Sequence, residues 1–303
     1  MDLPLILPPG GTPARELFLV LPGLNLHPGR LSPWHGLLAG QGSAVLAPRL
    51  TGYGFPGDPE QKKVTAGRYL DDLNTAWAEA SEQMPGAACS LLGYSLGGLL
   101  GLAWAFQRQI PLKRAVLISP ALRLKAWVRI PIAGLGRILP HRLGLPSLAP
   151  AEYRLHPTTT VGAFWAVVEL ERQLSGALDG WLGGGIEGSE GNKENSGREP
   201  PPHLLIAFAE KDEFIDTRVF HRLREAFPER VSLHRLNHAA RAGYPLHLGL
   251  DANTLGQGEW NRLKAAVNAW LAGTGGGEEA RDGPPGMEAT LTDPRDPSNE
   301  KAP

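Results

Sequence analysis

The stretch GYSLG, residues 93–97, places Ser95 between two glycines, each two positions away. A serine held on a sharp strand-to-helix turn needs this spacing, because side chains two residues to either side would collide with the strained backbone. The setting agrees: apolar AACSLLGY (87–94) reads as a strand, and Leu96–Gln107, apolar nearly all round, reads as a buried helix. The Leu96 N–H then lies at a helix N-terminus, where it can stabilise an oxyanion. A serine nucleophile needs a base, and the base needs an orienting acid, in the chain order serine, acid, histidine. The turn after HLLIAFA offers Glu210, Asp212, Glu213 and Asp216. The next strand, RVSLHRL, ends at Leu236, which puts His238 directly off a strand end behind the small Asn237. That position favours His238 as the base. His247, a few residues before the last helix, is the alternative base, and His234 inside the strand reads as structural. The chemistry this set permits is acyl transfer through a covalent serine intermediate.

The elements that must carry these residues alternate. Apolar runs ELFLVLPG (16–23), SAVLAPRL (43–50), AACSLLGY, LKRAVLISP (112–120), HLLIAFAE (203–210) and RVSLHRL (230–236) read as strands. Helical periodicity appears at 33–41, Thr65–Gln83, Leu96–Gln107, Thr158–Trp181, Thr217–Phe227 and Thr254–Ala272. Continuous apolar strands alternating with helices indicate an α/β fold, with a mostly parallel sheet covered on both faces. The rhythm stops over residues 122–202, which are expected to form an inserted helical cap. Gly-rich 183–202 is expected to be a flexible loop, and Gly/Pro/acid-rich 273–303 a disordered tail. The core is then 1–121 plus 203–272.

The 303 residues carry a formal charge of −1, so no basic surface points to nucleic acid. The single cysteine, Cys89, suits a reducing compartment. No secretory signal pattern and no run long enough to span a membrane is evident, so the expectation is a soluble cytoplasmic protein without stable membrane insertion.

FLVLPGLNLHPG (18–29), VLAPRLTGYG (45–54), LLGYSLGG (91–98), AVLISPA (115–121) and LLIAFAEKDEFID (204–216) together resemble the α/β-hydrolase superfamily. Within it, the chain looks like the small serine carboxylesterases and monoacylglycerol-lipase-like enzymes. The resemblance implies that Asp212, three residues after the small Ala209, orients the base, leaving its acidic neighbours as surface charges. It implies oxyanion donors at the N–H groups of Leu24 and Leu96, with no metal or cofactor. The family's usual His-Gly is Pro22-Gly23 here, and the 237–253 region is longer than the family norm. AFWAVVELERQL (163–174) resembles the family's cap helix. Trp127, Trp165 and Trp181, with Leu124, Val128, Ile130, Ile132, Phe164 and Val168, make the cap apolar and imply a small apolar ester as substrate. Arg123, Arg129, Arg137 and Arg142 make it locally basic, read here as a solvated face. A thioesterase, peptidase or C–C hydrolase with the same triad, or a non-catalytic binding protein of this fold, are the competing readings.

Overall fold

The computed structural model describes residues 5–9, 14–147, 149–182, 200–237 and 244–273. In chain order they form β1 (Leu5–Ile6), β2 (Glu16–Leu21), α1 (Ser32–Gly40), β3 (Ala44–Leu46), α2 (Ala66–Gln83), β4 (Ala88–Tyr94), α3 (Leu96–Arg108) and β5 (Leu112–Ile118). There follow α4 (Ala126–Ile138), β6 (Gly144–Pro146), β7 (Thr158–Thr160), α5 (Val161–Trp181), β8 (His203–Phe208), α6 (Arg218–Ala226), β9 (Val231–Arg235), α7 (Ala252–Leu255) and α8 (Gln257–Leu271). Seven strands build one sheet in the order β1-β3-β2-β4-β5-β8-β9, parallel except for β1 against β3.

Why the strands are apolar throughout is plain from their two faces. Along β2, Leu17, Leu19 and Leu21 belong to the core shared with α2, α3 and α6, while Phe18 and Val20 belong to the core shared with α1 and α8. Successive residues point to opposite faces, and both faces are covered, so no polar position is spared. Trp34 of α1 meets Trp260 of α8 edge-on, with ring centroids 4.9 Å apart, which closes the second face.

Three elements differ from the sequence expectation. The helix expected from Thr158 starts at Val161, because Thr158–Thr160 pair with Gly144–Pro146 as a short antiparallel ribbon. Thr160 still caps the helix, its hydroxyl accepting from Ala163 N–H at 3.2 Å. The last helix is two: Gly256, at φ 82°, breaks α7 from α8. Within the expected cap, where helical periodicity appears only from Thr158, lies another full helix, α4, with Pro131 inside it. The expected loop 183–202 and tail 273–303 fall outside the described residues, save 200–202 and 273.

The chain between β5 and β8 packs α5 across α3 and α4, with Ala166, Leu170, Leu174 and Leu178 fully buried in the main core. Its first residues join the turn after β8 through a bridge between Leu124 and Ile215, and a second bridge joins Leu26 to Arg154. No helix among the described residues is long and apolar enough to cross a membrane.

Candidate active site

Ser95 stands between β4 and α3 with φ 50° and ψ −113°, a strained conformation for a non-glycine residue. Its neighbours hold it there: Ser95 N–H donates to Ile118 O of β5 at 2.9 Å, and Ser95 O accepts from Gly98 and Ala121 N–H, each at 3.1 Å. The flanking glycines are obligatory. A Cβ on Gly93 would fall on Gly98 N, and one on Gly97 would fall on Leu21 O of β2. Close approach of α3 to the ends of β2 and β4 therefore raises the serine above the sheet.

Asp212 follows β8 and is only 1% exposed. Its Oδ1 accepts from Phe214 N–H at 2.8 Å and Ile215 N–H at 2.9 Å. Its Oδ2 meets His247 Nδ1 at 2.7 Å, and His247 Nε2 lies 2.8 Å from Ser95 Oγ. A carboxylate only accepts, so Nδ1 carries the proton, and Nε2 accepts from the serine hydroxyl. Burial by itself would raise the Asp212 carboxyl. The electrostatic attraction of His247, its hydrogen bond and the two backbone donors outweigh burial and hold the carboxyl below its ordinary value.

His247 is thus the histidine that the structure brings to Ser95. The preference for His238 rested on its place at a strand end; His238 itself lies outside the described residues. His247 comes from the longer 237–253 region, and the backbone around it is pinned. Glu213 accepts from Leu246 N–H at 2.8 Å and His247 N–H at 3.0 Å. Tyr94 Oη donates to His247 O at 3.2 Å, and Phe214 sets its ring edge-on to the imidazole at 5.4 Å. Glu213 is therefore not the surface charge expected of it. His234 lies elsewhere, 3.8 Å from Glu259. Of the other acids, Glu210 pairs with His221 and Arg235, and Asp216 with Arg218.

Leu24 and Leu96 both line the cavity beside Ser95. Among the described residues neither backbone N–H donates within the protein. The loop carrying Leu24 runs against the serine: a Cβ on Gly23 would stand 3.3 Å from Ser95 Cβ.

The cavity over Ser95 holds about 510 Å³. Leu124, Trp127, Val128, Ile132 and Phe164 line it as expected, and Leu145 and Val167 join them. Trp165, Trp181, Ile130 and Val168 do not. No Asp, Glu, Lys or Arg is among the described residues that line it. The four expected arginines stay outside, Arg123 pairing with Asp179 at 3.3 Å and Arg129 with Glu171 at 3.7 Å.

Among curated proteins none matches the sequence. Solved structures match over most of the chain. A metagenome-derived lipolytic enzyme described with LipS and LipT superposes with a TM-score of 0.65 at 19% identity, covering 90% of this chain and 100% of that one. The monoacylglycerol lipase of Paleococcus ferrophilus gives 0.61 at 18%, covering 90% and 99%. Est1E of Butyrivibrio proteoclasticus, bound to ferulic acid, gives 0.58 at 15%, covering 90% and 94%. These likenesses establish the fold, that of the α/β-hydrolases. The model of the serine aminopeptidase S33 family matches residues 12–166, just over half the chain. The strained serine, its glycines and the strands β2, β4 and β5 around them fall within that span, and the chain belongs to this family of α/β-hydrolases.

Proposed function

We propose that the protein is a serine hydrolase that cleaves carboxylic esters of apolar acyl substrates through an acyl-enzyme on Ser95. The observation that carries this is the unbroken relay from Asp212 Oδ2 to His247 to Ser95 Oγ, with steps of 2.7 and 2.8 Å, at the floor of a cavity whose described lining carries no Asp, Glu, Lys or Arg. In this reading His247 takes the Ser95 proton as Oγ attacks the ester carbonyl. Asp212 keeps the imidazole in the tautomer that accepts at Nε2 and stabilises the imidazolium that forms. Leu24 and Leu96 N–H groups stabilise the oxyanion. His247 returns the proton to the leaving alcohol, and water hydrolyses the acyl-enzyme by the same steps. The described residues of the insertion, from Leu124 to Val167, act as the cap that gives the cavity its apolar wall.

The chemistry of the lining favours esters over peptides with a free amino terminus. An ammonium group brought into this cavity finds no carboxylate among the described residues that line it, and burying it unpaired is costly. The two carboxylates beside the lining are occupied, Asp212 by His247 and by the Phe214 and Ile215 N–H groups, and Glu213 by the two N–H groups of the His247 segment. Lipase and esterase activities of the structural relatives agree with this choice.

The test is turnover of p-nitrophenyl esters of graded acyl length, with aminoacyl p-nitroanilides alongside. The wild-type chain should hydrolyse the esters and leave the anilides untouched. Ser95→Ala should lose at least ~10³-fold in kcat, and a fluorophosphonate should label Ser95. Unchanged turnover in Ser95→Ala, or labelling elsewhere, would refute the reading.

A further inference from the structure

Leu24, the first oxyanion donor, sits on a loop that belongs to no strand or helix, so something else must aim its N–H. The residue next to it does more than the turn requires. Asn25 has φ 55°, in the left-handed region, and is 6% exposed. Its backbone N–H donates to Tyr53 Oη at 3.0 Å, while Tyr53 Oη donates to Gly23 O at 2.8 Å, so Tyr53 brackets Leu24 from both sides. Turned this way, the chain spends the Asn25 and Gly23 groups internally and leaves Leu24 N–H free.

The Asn25 carboxamide reaches the other way. Its Oδ1 accepts from His156 N–H at 2.8 Å. Its Nδ2 lies 2.9 Å from His156 O, 3.0 Å from Ser147 Oγ and 3.1 Å from Thr159 Oγ1. Leu155 N–H donates to Asn25 O at 2.8 Å. Every one of these partners belongs to the segment between β5 and β8, 122 to 134 residues further along the chain. His156 is itself fixed, Nδ1 accepting from Gly57 N–H at 3.0 Å and Nε2 donating to Gly52 O at 2.7 Å. A turn alone would be served by glycine, which adopts this φ at less cost. Asparagine adds the carboxamide, and the carboxamide touches only the insertion. If that segment lifted away, a buried amide would lose all its partners and the left-handed turn its support.

We propose that Asn25 is a positioning residue that makes the oxyanion donor at Leu24 depend on docking of Ser147 and the 155–159 segment. This rests on the acyl-transfer reading of Ser95. The insertion then serves the chemical step as well as the cavity wall: the oxyanion site is assembled only while the insertion is seated.

The experiment compares the full chain with Asn25→Gly and Asn25→Asp on a neutral p-nitrophenyl ester. Two inhibitors are titrated against each: a trifluoromethyl ketone, which adds to Ser95 and places a negative oxygen in the oxyanion site, and the matching ether, which fills the cavity without charge. Asn25→Gly keeps the turn and loses the carboxamide. Its kcat should fall about 10- to 100-fold, below the loss expected for deleting a donor outright, with KM within about twofold. Affinity for the ketone should fall by a similar factor, and affinity for the ether should hold. Asn25→Asp keeps the bond from His156 N–H and should lie between, so it decides the matter if the glycine variant does not fold. Wild-type kcat in both variants, or a raised KM and weakened ether binding at retained kcat, would overturn the proposal. Failure of the underlying reading looks different: the wild-type chain itself would lack ester turnover, or Ser95→Ala would retain it.

Discussion

Two adjacent acids hold His247, and they hold different parts of it. Asp212 takes the imidazole, and Glu213 takes the backbone of the same residue and the one before. A histidine delivered by a long connection needs both restraints, because a misplacement of about 1 Å in a reacting group can cost ~10²-fold in rate. Replacing Glu213 by alanine leaves two N–H groups without their acceptor and frees the segment. Its kcat should fall by up to ~10²-fold with little change in KM, and Glu213→Gln, which keeps one acceptor oxygen, should recover part of the loss. His247→Ala should cost at least ~10⁴-fold, while His238→Ala should stay within a few-fold of wild type. Steady-state kinetics on one ester checks all four variants, and equal losses for the two histidines would remove His247 from its role. Ser95 was readable because its glycines and its strand-to-helix context are local. Glu213 was not. An acid in a turn looks the same in sequence whether it faces water or a backbone segment 33 residues away.

At the scale of elements, strands such as β2, β4, β5 and β8 were legible because burial on both faces leaves a continuous apolar signature. What escaped lies between β5 and β8. Pro131 interrupts the pattern of α4, yet the helix forms, because it packs on α5 and proline removes only one backbone donor. The β6–β7 ribbon is set by pairing across the chain, which no local propensity reports. On α5, facing Arg129 of α4, sits Glu171, 2% exposed. Burial raises its carboxyl above the ordinary value, and Arg129 with the Leu124 N–H offset this only in part. A raised pKa in the folded state means that the protonated form is the stabilising one. Stability linked to Glu171 therefore falls as pH rises from the ordinary carboxylate range through the higher folded value. Glu171→Gln imitates the protonated form, keeps an acceptor for Leu124 N–H at its amide oxygen, and strands no cation, because Arg129 is half exposed. At pH 7 the variant should be as stable as wild type or more stable, by up to ~1 kcal/mol. The difference should vanish toward pH 4. Urea unfolding across that range is the measurement, and a clear loss of stability at pH 7 would contradict the account.

Across the whole molecule, chemistry and stability occupy opposite ends of the sheet. Ser95, Asp212 and His247 gather beyond the carboxyl ends of the strands, as parallel sheets generally arrange their ligands. The insertion is tied to that end at its entrance and again midway along, through Leu124–Ile215 and Leu26–Arg154. At the other end, Glu16 opens β2 and is 6% exposed. Arg114 of β5 grips it with Nε and Nη2, each at 2.7 Å, Ser90 Oγ donates at 2.6 Å, and Lys113 Nζ stands at 3.0 Å. Burial pushes this carboxyl up, but the three hydrogen-bonding partners and the Arg114 charge prevail, and its pKa lies below the ordinary 4.5. The sign is opposite to that of Glu171. The ionised form stabilises the fold, fully above the ordinary value, and the contribution is lost as pH falls through the depressed folded value. Glu16→Gln should therefore cost ~3 kcal/mol at pH 7, because it leaves Arg114, mostly buried, without its counter-charge. The gap should close as pH drops below about 4.5. Turnover per folded molecule should not change, because β2, β4 and β5 separate this cluster from Ser95. A gap that persists undiminished in acid would show that Glu16 acts through packing and not through its charge. A fall in kcat at constant folded fraction would show that the two ends of the sheet are coupled.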